Sequence, residues 1–331
     1  MRASGVKVAV EQLSAALEGL GHEVRVFGIA DKAWAMGDKA LWAGAPSCAL
    51  RTYGLPAFGY TPDLEKAVLD FSPDVIHSHG LWMYGSLIAE RLSRSGIPDV
   101  ISPHGMLDPW ALSQSAWKKR FMRSLFEDRH VANANVVHAL NNEEASAIHN
   151  FGTRAQIEIV PNGVQIIEKA SGTRHPAWRN NLPKGAKVLL YFGRIHPKKN
   201  LMSVLEAWSD GQRSPWHLVV AGPDQDGHRR VIENLIASRG LNKTVHLVGE
   251  QYGLDKNLTY ETAEAFVLPS FSEGVPIAIL EAWSWRLPVL MSRHCNLDAG
   301  FKSGAAIDNG TEVKTIAHAL LQLFQMSDSQ R

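Results

Sequence analysis

Short apolar runs alternate along the chain with amphipathic stretches, and glycine, proline or asparagine punctuates them. Val6, Val10, Leu13, Leu17 and Leu20 recur near the helical period, Gly21 stands where such a helix would end, and Val24, Val26 and Phe27 open a strand behind it. Leu64 to Phe71 reads as a helix, Val75 and Ile76 as a short buried strand, and Val100 and Ile101 as another. Val136 to Leu140 and Ile157 to Val160 are two more strands, with a helix over residues 141–152 between them that Gly152 stops. The second half repeats the rhythm with strands at Val188 to Phe192, in HLVVAG, in VHLVGEQ and at Ala265 to Leu268, then a helix from Ile277 to Trp285 and a strand from Pro288 to Met291. Strands and helices in turn, with polar loops after the strands, predict parallel α/β sheets whose ligand loops lie at the carboxyl ends of the strands. Residues 31–60, with several Trp, Gly and Pro, show no clean period and read as loop with short strands.

One stretch admits two readings. From Trp117 to Val131, the residues Trp117, Phe121, Met122, Leu125 and Phe126 share a helical face, with Lys118, Lys119, Arg120 and Arg123 around it. Such a basic amphipathic helix can lie on an anionic membrane surface or pack on a sheet, and packing is the expectation.

Composition narrows the class. At 331 residues the chain exceeds what one core supports, so two domains are expected. The turn formers Pro161, Asn162 and Gly163 place the boundary there, giving domains of residues 1–163 and 164–331. A net charge of +1 argues against nucleic acid as a partner, which needs a strongly basic face. Cys48 and Cys295 stand far apart and without metal-ligand spacing, as expected of two reduced thiols in a cytoplasmic protein. No apolar run is long enough to span a bilayer and no signal peptide opens the chain, so any membrane contact is expected to be peripheral.

The candidate chemistry gathers after the strands. In AFVLPSFSEGVPIAILEAWSWRLPVLM a strand stops at Pro269, a polar loop carries Glu273, and the following helix carries Glu281. Gly274, Val275 and Ile277 lie where the chain enters that helix and its first N–H groups lack internal partners, which makes an anion site; Pro276 removes one donor. In KVLLYFGRIHPKKN, Gly193 allows close backbone approach while Arg194 and Lys199 supply two cations suited to a diphosphate. His77, His79 and His104 end two strands of the first half, and a metal is not expected on two histidines lacking a third ligand nearby.

In order, the segments SG near the start, HxHG, HGM, PNGV, GR(x4)K, VGE, VLPS and E(x7)E span nearly the whole chain, which resembles the retaining family-4 glycosyltransferases of exopolysaccharide and lipopolysaccharide synthesis. The resemblance implies a GT-B fold of two Rossmann-like domains with a cleft between them, an acceptor-side domain first and a nucleotide-sugar domain second. It implies sugar transfer with retention from a nucleotide-diphosphate sugar to a glycan or lipid-linked acceptor, without a metal or other cofactor, in the cytoplasm or at the inner membrane face. On it, Arg194 and Lys199 would stabilise the leaving diphosphate, Glu273 would accept from the donor sugar and Glu281 from the ribose. Gly5, Gly193, Val248, Gly249, Gly274, Val275 and Ile277 would line the donor, and His79, His104 and Gly105 would face the transferred sugar or acceptor.

The chain also departs from that family. No strand precedes the first helix, Arg286 replaces a common glycine, Asp298 and Ala299 replace a Pro-Glu pair, and a polar tail follows Leu323 where a terminal helix is usual. The alternative expectation is therefore a truncated, inactive nucleotide-binding or scaffold fragment of the same fold, and a weaker one is a nucleotide-sugar epimerase.

Overall fold

The structure is a computed structural model and describes residues 5–30, 42, 44–55, 57–166, 174–209 and 214–327. Of the stretch 31–60, expected as loop with short strands, residues 31–41, 43 and 56 lie outside these, as do part of the polar linker and the last residues of the tail. The chain divides into two compact units, Met1–Gly163 and Val164–Arg331.

The first unit opens with α1 (Gly5–Gly19), followed by β1 (Val26–Ala30) and β2 (Ser47–Arg51), which pair in parallel. Then come α2 (Leu64–Phe71), β3 (Ile76–His79), α3 (Tyr84–Arg94), β4 (Asp99–Ser102) and the short α4 (Pro109–Ser113). After α5 (Ala116–Met122), a π turn (Arg123–Glu127) and α6 (Asp128–Asn133), the unit closes with β5 (Val136–Ala139), α7 (Asn142–Phe151) and β6 (Gln156–Ile159). Asn141 caps α7 by accepting from the Glu144 N–H, and Gly152 ends it at φ 111°, where the left-handed region favours glycine.

Strands β3-β4-β5-β6 form a second parallel sheet, separate from β1-β2. Between β1 and β3 lies a cavity of about 900 Å³, walled by Val6, Val10, Leu13 and Leu17 of α1 and by Val26 and Ile76. The core is divided accordingly, one cluster around Ile101, Val137 and Ile148 and a smaller one around Val68, Tyr84, Ile88 and Leu92.

The expectation that the Trp117 to Val131 stretch packs its whole apolar face on the sheet is corrected. Trp117, Phe121 and Leu125 are 68%, 60% and 47% exposed, whereas Phe126 is 2% exposed. Helical phase supplies the reason: at 3.6 residues per turn Trp117, Phe121 and Leu125 cluster on one side, while Phe126, nine residues after Trp117, lies on the opposite one. There Glu127 accepts from the Trp82 N–H at 2.6 Å and pairs with His130 Nδ1 at 2.9 Å.

The second unit is one six-stranded parallel sheet in the order β12-β11-β10-β7-β8-β9. Its strands are β7 (Lys187–Phe192), β8 (Trp216–Ala221), β9 (Val245–Gly249), β10 (Ala265–Leu268), β11 (Val289–Met291) and β12 (Ala306–Asp308). Helices α8 (Leu201–Ser209), α9 (His228–Ser238), α10 (Gly253–Glu261), α11 (Ile277–Ser284), α12 (Asp298–Lys302) and α13 (Val313–Gln325) connect or follow them. Strands buried on both faces read as continuous apolar runs, and all residues of β8 and β10 are buried. A single core results, in which Trp208, Tyr191, Tyr260 and Phe266 are fully buried.

Strand order reverses beside β7. From β7 the chain moves outward through β8 and β9, then returns to β7's other side with β10 and moves away through β11 and β12. In an open α/β sheet the crevice at that reversal is where ligands bind.

Candidate functional site

Loops from the two strands flanking the reversal meet at their carboxyl ends. After β7 the chain passes through Gly193 and Arg194 into a 3₁₀ turn, Pro197–Lys199, and Asn200 at φ 57°. After β10 it passes through Glu273 to Pro276, whose missing N–H suits the start of α11. Lys199 Nζ lies 2.5 Å from Glu273 Oε1, and the Phe271 N–H donates to the Lys198 carbonyl at 2.9 Å. The Glu273 backbone is held as well: its N–H donates to the His294 carbonyl at 2.9 Å, and its carbonyl accepts from Asn296 Nδ2 at 2.8 Å. Burial pushes the Glu273 carboxyl up, but the charge and hydrogen bond of Lys199, with Ser270 and Lys198, together hold it below its usual range.

Close backbone approach explains Gly222 but not Gly193, whose own Cβ would meet nothing nearer than the Tyr191 hydroxyl at 4.0 Å. A Cβ on Gly222, which sits at φ 141°, would lie 2.0 Å from the Gly193 carbonyl oxygen. The buried Tyr191 hydroxyl donates to the Arg194 carbonyl at 2.9 Å and so fixes the loop from below. Arg194 itself is exposed and donates to the Gln225 side chain.

Glu281 is 8% exposed and has partners that sequence reasoning missed. Lys256 of α10 pairs with its Oε1, and the Tyr260 hydroxyl donates to its Oε2 at 3.0 Å. Tyr260 is fully buried and stacks on Phe192 with ring centroids 5.0 Å apart. Burial, then the Glu281 charge, raises its hydroxyl pKa, so it remains a donor at neutral pH. The available signal was Lys256 and Tyr260 four apart on one helical face.

The remaining expected donor residues are spread over the same unit. Val248 and Gly249 end β9, where the Val248 carbonyl accepts from Gln251 Nε2 at 3.0 Å and Gly249 has φ 75°. Gly274, Val275 and Ile277 lie between Glu273 and Glu281, with Ile277 opening α11. Gly5, expected at the end of a loop, is the first described residue and opens α1 in the other unit.

In the first unit, β3 and β4 are parallel neighbours, and the histidine that ends β3 meets one in the loop after β4. His79 Nδ1 lies 3.0 Å from His104 Nε2, and His77 stacks on His79 with centroids 4.1 Å apart. His104 at φ 52° and Gly105 at φ 75° turn the chain sharply, and the Gly105 N–H donates to Glu144 Oε1 at 2.6 Å. A second chain of hydrogen bonds crosses the sheet. It runs from His77 Nε2 to Ser102 Oγ at 2.7 Å, on to His138 Nδ1 at 2.7 Å, and from His138 Nε2 to the Val160 carbonyl at 2.6 Å.

Burial, reinforced by neighbouring imidazoles, lowers His77 to about 4, His79 to about 2 and His104 to about 4. All three are neutral at pH 7 and can donate or accept. Ser102, His138 and Glu144 were not expected in this cluster, since strand alternation places side chains on a face without revealing cross-strand partners. Among the described residues no group of three or more His, Cys, Asp or Glu could hold a metal ion.

Comparison with known proteins follows the same division. The glycosyl transferase 4-like domain family matches residues 4–163, and the glycosyl transferases group 1 family matches residues 175–331. The GDP-mannose:cellobiosyl-diphosphopolyprenol alpha-mannosyltransferase of Xanthomonas campestris is 29% identical over 67% of this chain and 56% of that protein. This chain therefore spans little more than half of that relative's length. The D-inositol 3-phosphate glycosyltransferase of Actinosynnema mirum is 28% identical over 91% of this chain and 79% of that protein.

Two solved structures share the fold. Sucrose-phosphate synthase from Thermosynechococcus elongatus has a TM-score of 0.76 at 18% identity, covering 99% of this chain and 86% of that one. Anabaena Alr3699/HepE in complex with UDP-glucose has a TM-score of 0.73 at 17% identity, covering 99% and 88%. With one family matching each half and the parallel α/β sheets of the GT-B type in both, the chain belongs to the family-4 glycosyltransferases.

Proposed function

We propose that this chain transfers a sugar, with retention of anomeric configuration, from a nucleotide-diphosphate sugar to a glycan or lipid-linked acceptor in cell-surface polysaccharide synthesis. The observation that carries the reading is the junction of Lys199 and Glu273 at the reversal between β7 and β10. A cation and a carboxylate held together there, beside the Gly274 to Ile277 helix entry and the exposed Arg194, suit a diphosphate with a sugar attached.

In this reading the bond from the anomeric carbon to the diphosphate breaks while a bond from the acceptor oxygen forms on the same face. The acceptor's proton passes to the leaving phosphate, so no protein nucleophile takes part. Arg194 and Lys199 stabilise the charge that develops on the leaving group. Glu273 accepts from the donor sugar, and Glu281, oriented by Lys256 and Tyr260, accepts from the ribose. The backbone at Val248 and Gly249 borders the base, and Gly193 leaves room for the phosphates. On the acceptor side stand neutral His79 and His104 with Gly105. No metal ion or other cofactor is needed.

The name of the Xanthomonas campestris relative includes GDP-mannose and a polyprenol-linked acceptor, while Anabaena Alr3699/HepE was solved with UDP-glucose. Both support a nucleotide sugar as donor and leave the base open. Incubation with UDP-glucose and GDP-mannose in the presence of lipid-linked oligosaccharide, with the product's anomeric configuration read by NMR, tests the proposal. An α-linked product from an α-linked donor is expected; an inverted product, or release of free sugar at the same rate with and without acceptor, would overturn it.

The split sheet and the cavity of about 900 Å³ in the first unit favour a second reading, in which the chain binds the nucleotide but does not transfer. Nucleotide binding without product in that assay would select it.

A further inference from the structure

Two sets of contacts meet at His77, and only one of them has a fixed direction. His77 and Val100 are register partners, as are Val100 and Val136, so alternation puts His77, His79, Ser102 and His138 on one face of the sheet. There His104, His79 and His77 stack in a row, with ring centroids 5.3 and 4.1 Å apart. The hydrogen between His79 Nδ1 and His104 Nε2 can belong to either ring, because a neutral imidazole can donate or accept at each nitrogen.

The path through Ser102 has no such freedom. A carbonyl oxygen only accepts, so His138 Nε2 carries the hydrogen that the Val160 carbonyl receives. With His138 neutral, its Nδ1 is bare and takes the Ser102 hydroxyl hydrogen. Ser102 has no second hydrogen to give, so its oxygen accepts from His77 Nε2. His77, neutral at pH 7, is left with a bare Nδ1. That nitrogen makes no hydrogen bond among the described residues, and His77 borders, with His79, the cavity of the first unit.

One added proton reverses every bond but the last. A solvent proton bound at His77 Nδ1 releases the Nε2 hydrogen to Ser102 Oγ, and Ser102 passes its own hydrogen to His138 Nδ1. The net gain is one proton, and its charge rests on His138. That ring is the better place for it. The Val160 carbonyl accepts from it at 2.6 Å, the Glu144 carboxylate of α7 acts on it, and Glu158 of β6 is its register partner. The other titratable groups facing it are His77, His79 and His104, which burial keeps neutral.

We propose that Ser102 and His138 are positioning residues, a relay that decides which nitrogen of His77 carries its hydrogen. With His138 neutral, His77 Nδ1 takes a hydroxyl hydrogen of the sugar acceptor beside His79; with His138 charged, the same nitrogen donates instead. The relay itself does not depend on the function proposed above, whereas its bearing on the sugar acceptor rests on that reading.

NMR of the full chain carrying nitrogen-labelled histidine tests the relay, because a bare ring nitrogen resonates far from a protonated one. The two signals are assigned by their loss in His77→Gln and His138→Gln. Before His138 titrates, His77 should carry hydrogen on Nε2; as His138 takes up its proton, the His77 hydrogen should appear on Nδ1 with that ring still neutral. In Ser102→Ala, His138 should still titrate and His77 should no longer follow. A His77 that keeps its Nε2 hydrogen throughout, charges together with His138, or switches equally in Ser102→Ala overturns the proposal. So does a His138 that stays neutral wherever the unit is folded. The wild-type titration decides by itself should Ser102→Ala not fold.

With lipid-linked oligosaccharide as probe, the acceptor KM should change about 3- to 10-fold across the His138 titration, the worth of one hydrogen bond. Ser102→Ala should flatten that change and leave the KM for nucleotide sugar as in the wild type. An acceptor KM equally pH-dependent in both proteins would sever the relay from the acceptor. A chain that relays without transferring contradicts the proposed function alone, and one that transfers without relaying contradicts the relay alone.

Discussion

Acidification from about pH 7 to about pH 5 should weaken the first unit through its buried histidines. In the unfolded chain an imidazole has a pKa near 6.5; in the fold burial, with help from neighbouring rings, lowers His77 to about 4, His79 to about 2 and His104 to about 4. Below the unfolded value the unfolded chain takes up protons that the native unit refuses. Stability is therefore intact above about pH 6.5 and is lost as pH falls, at about 1.4 kcal/mol per pH unit for each group. Down to about pH 5 this accumulates to about 1.5 kcal/mol per imidazole, and to about 3–5 kcal/mol for the three together once their mutual repulsion is shared. Glu144 works the other way, because burial raises its carboxyl, and offsets part of the loss.

Such a loss is comparable with the whole stability of a small domain, about 5–15 kcal/mol. Hydrogen exchange read by mass spectrometry on peptides covering residues 76–105 measures it directly. Exchange there should accelerate at the lower pH, after correction for intrinsic rates, and the pH dependence should shrink by roughly two-thirds in a His79→Gln/His104→Gln variant. Equal protection at both pH values would refute the argument that these imidazoles are held neutral by burial.

Three further outcomes follow from particular contacts. Arg286 ends α11 at φ 61°, so Arg286→Gly should stabilise the second unit by about 1 kcal/mol, seen as a rise of about 2–4 °C in its melting temperature. Gly222→Ala places a methyl against the Gly193 carbonyl and should cost several kcal/mol, about 3 or more, with loss of cooperative melting of that unit; a wild-type melt would contradict the close approach. Lys199→Met leaves the carboxylate of Glu273, 12% exposed, without its ammonium and should cost about 2–4 kcal/mol in urea unfolding. Adding Glu273→Gln should recover most of that loss, and independent, additive costs would deny the pairing.

The repeating α/β plan was legible because strands buried on both faces must be apolar, as in KVLLYF and AFVL, and because glycines such as Gly152 mark helix ends. Arg194, Lys199, Glu273 and Glu281 were legible as candidates from their spacing after strands. Their pairing was not, because sequence distance carries no information about which loops the strand order brings together. Lys199 and Glu273 are 74 residues apart yet touch only because β10 returns beside β7. The same limit hid Ser102 and His138 behind His77, and Lys256 behind Glu281. The Trp117 to Phe126 face misled for a different reason: at 100° per residue Trp117 and Phe126, nine apart, lie on opposite sides of a helix, so the five apolar residues do not form one face.

A thermal-shift titration of the intact chain with UDP, GDP and ADP and their sugar conjugates, beside Glu281→Ala and Lys199→Ala, tests the donor site most directly. At about 100 times its dissociation constant one nucleotide family should add about 2.7 kcal/mol of apparent stability to the second unit. That shift should disappear or shrink sharply in both variants. A cooperatively folded chain that shifts with none of them, or shifts equally in the variants, would contradict the assignment of Lys199 and Glu281 to a nucleotide-sugar site.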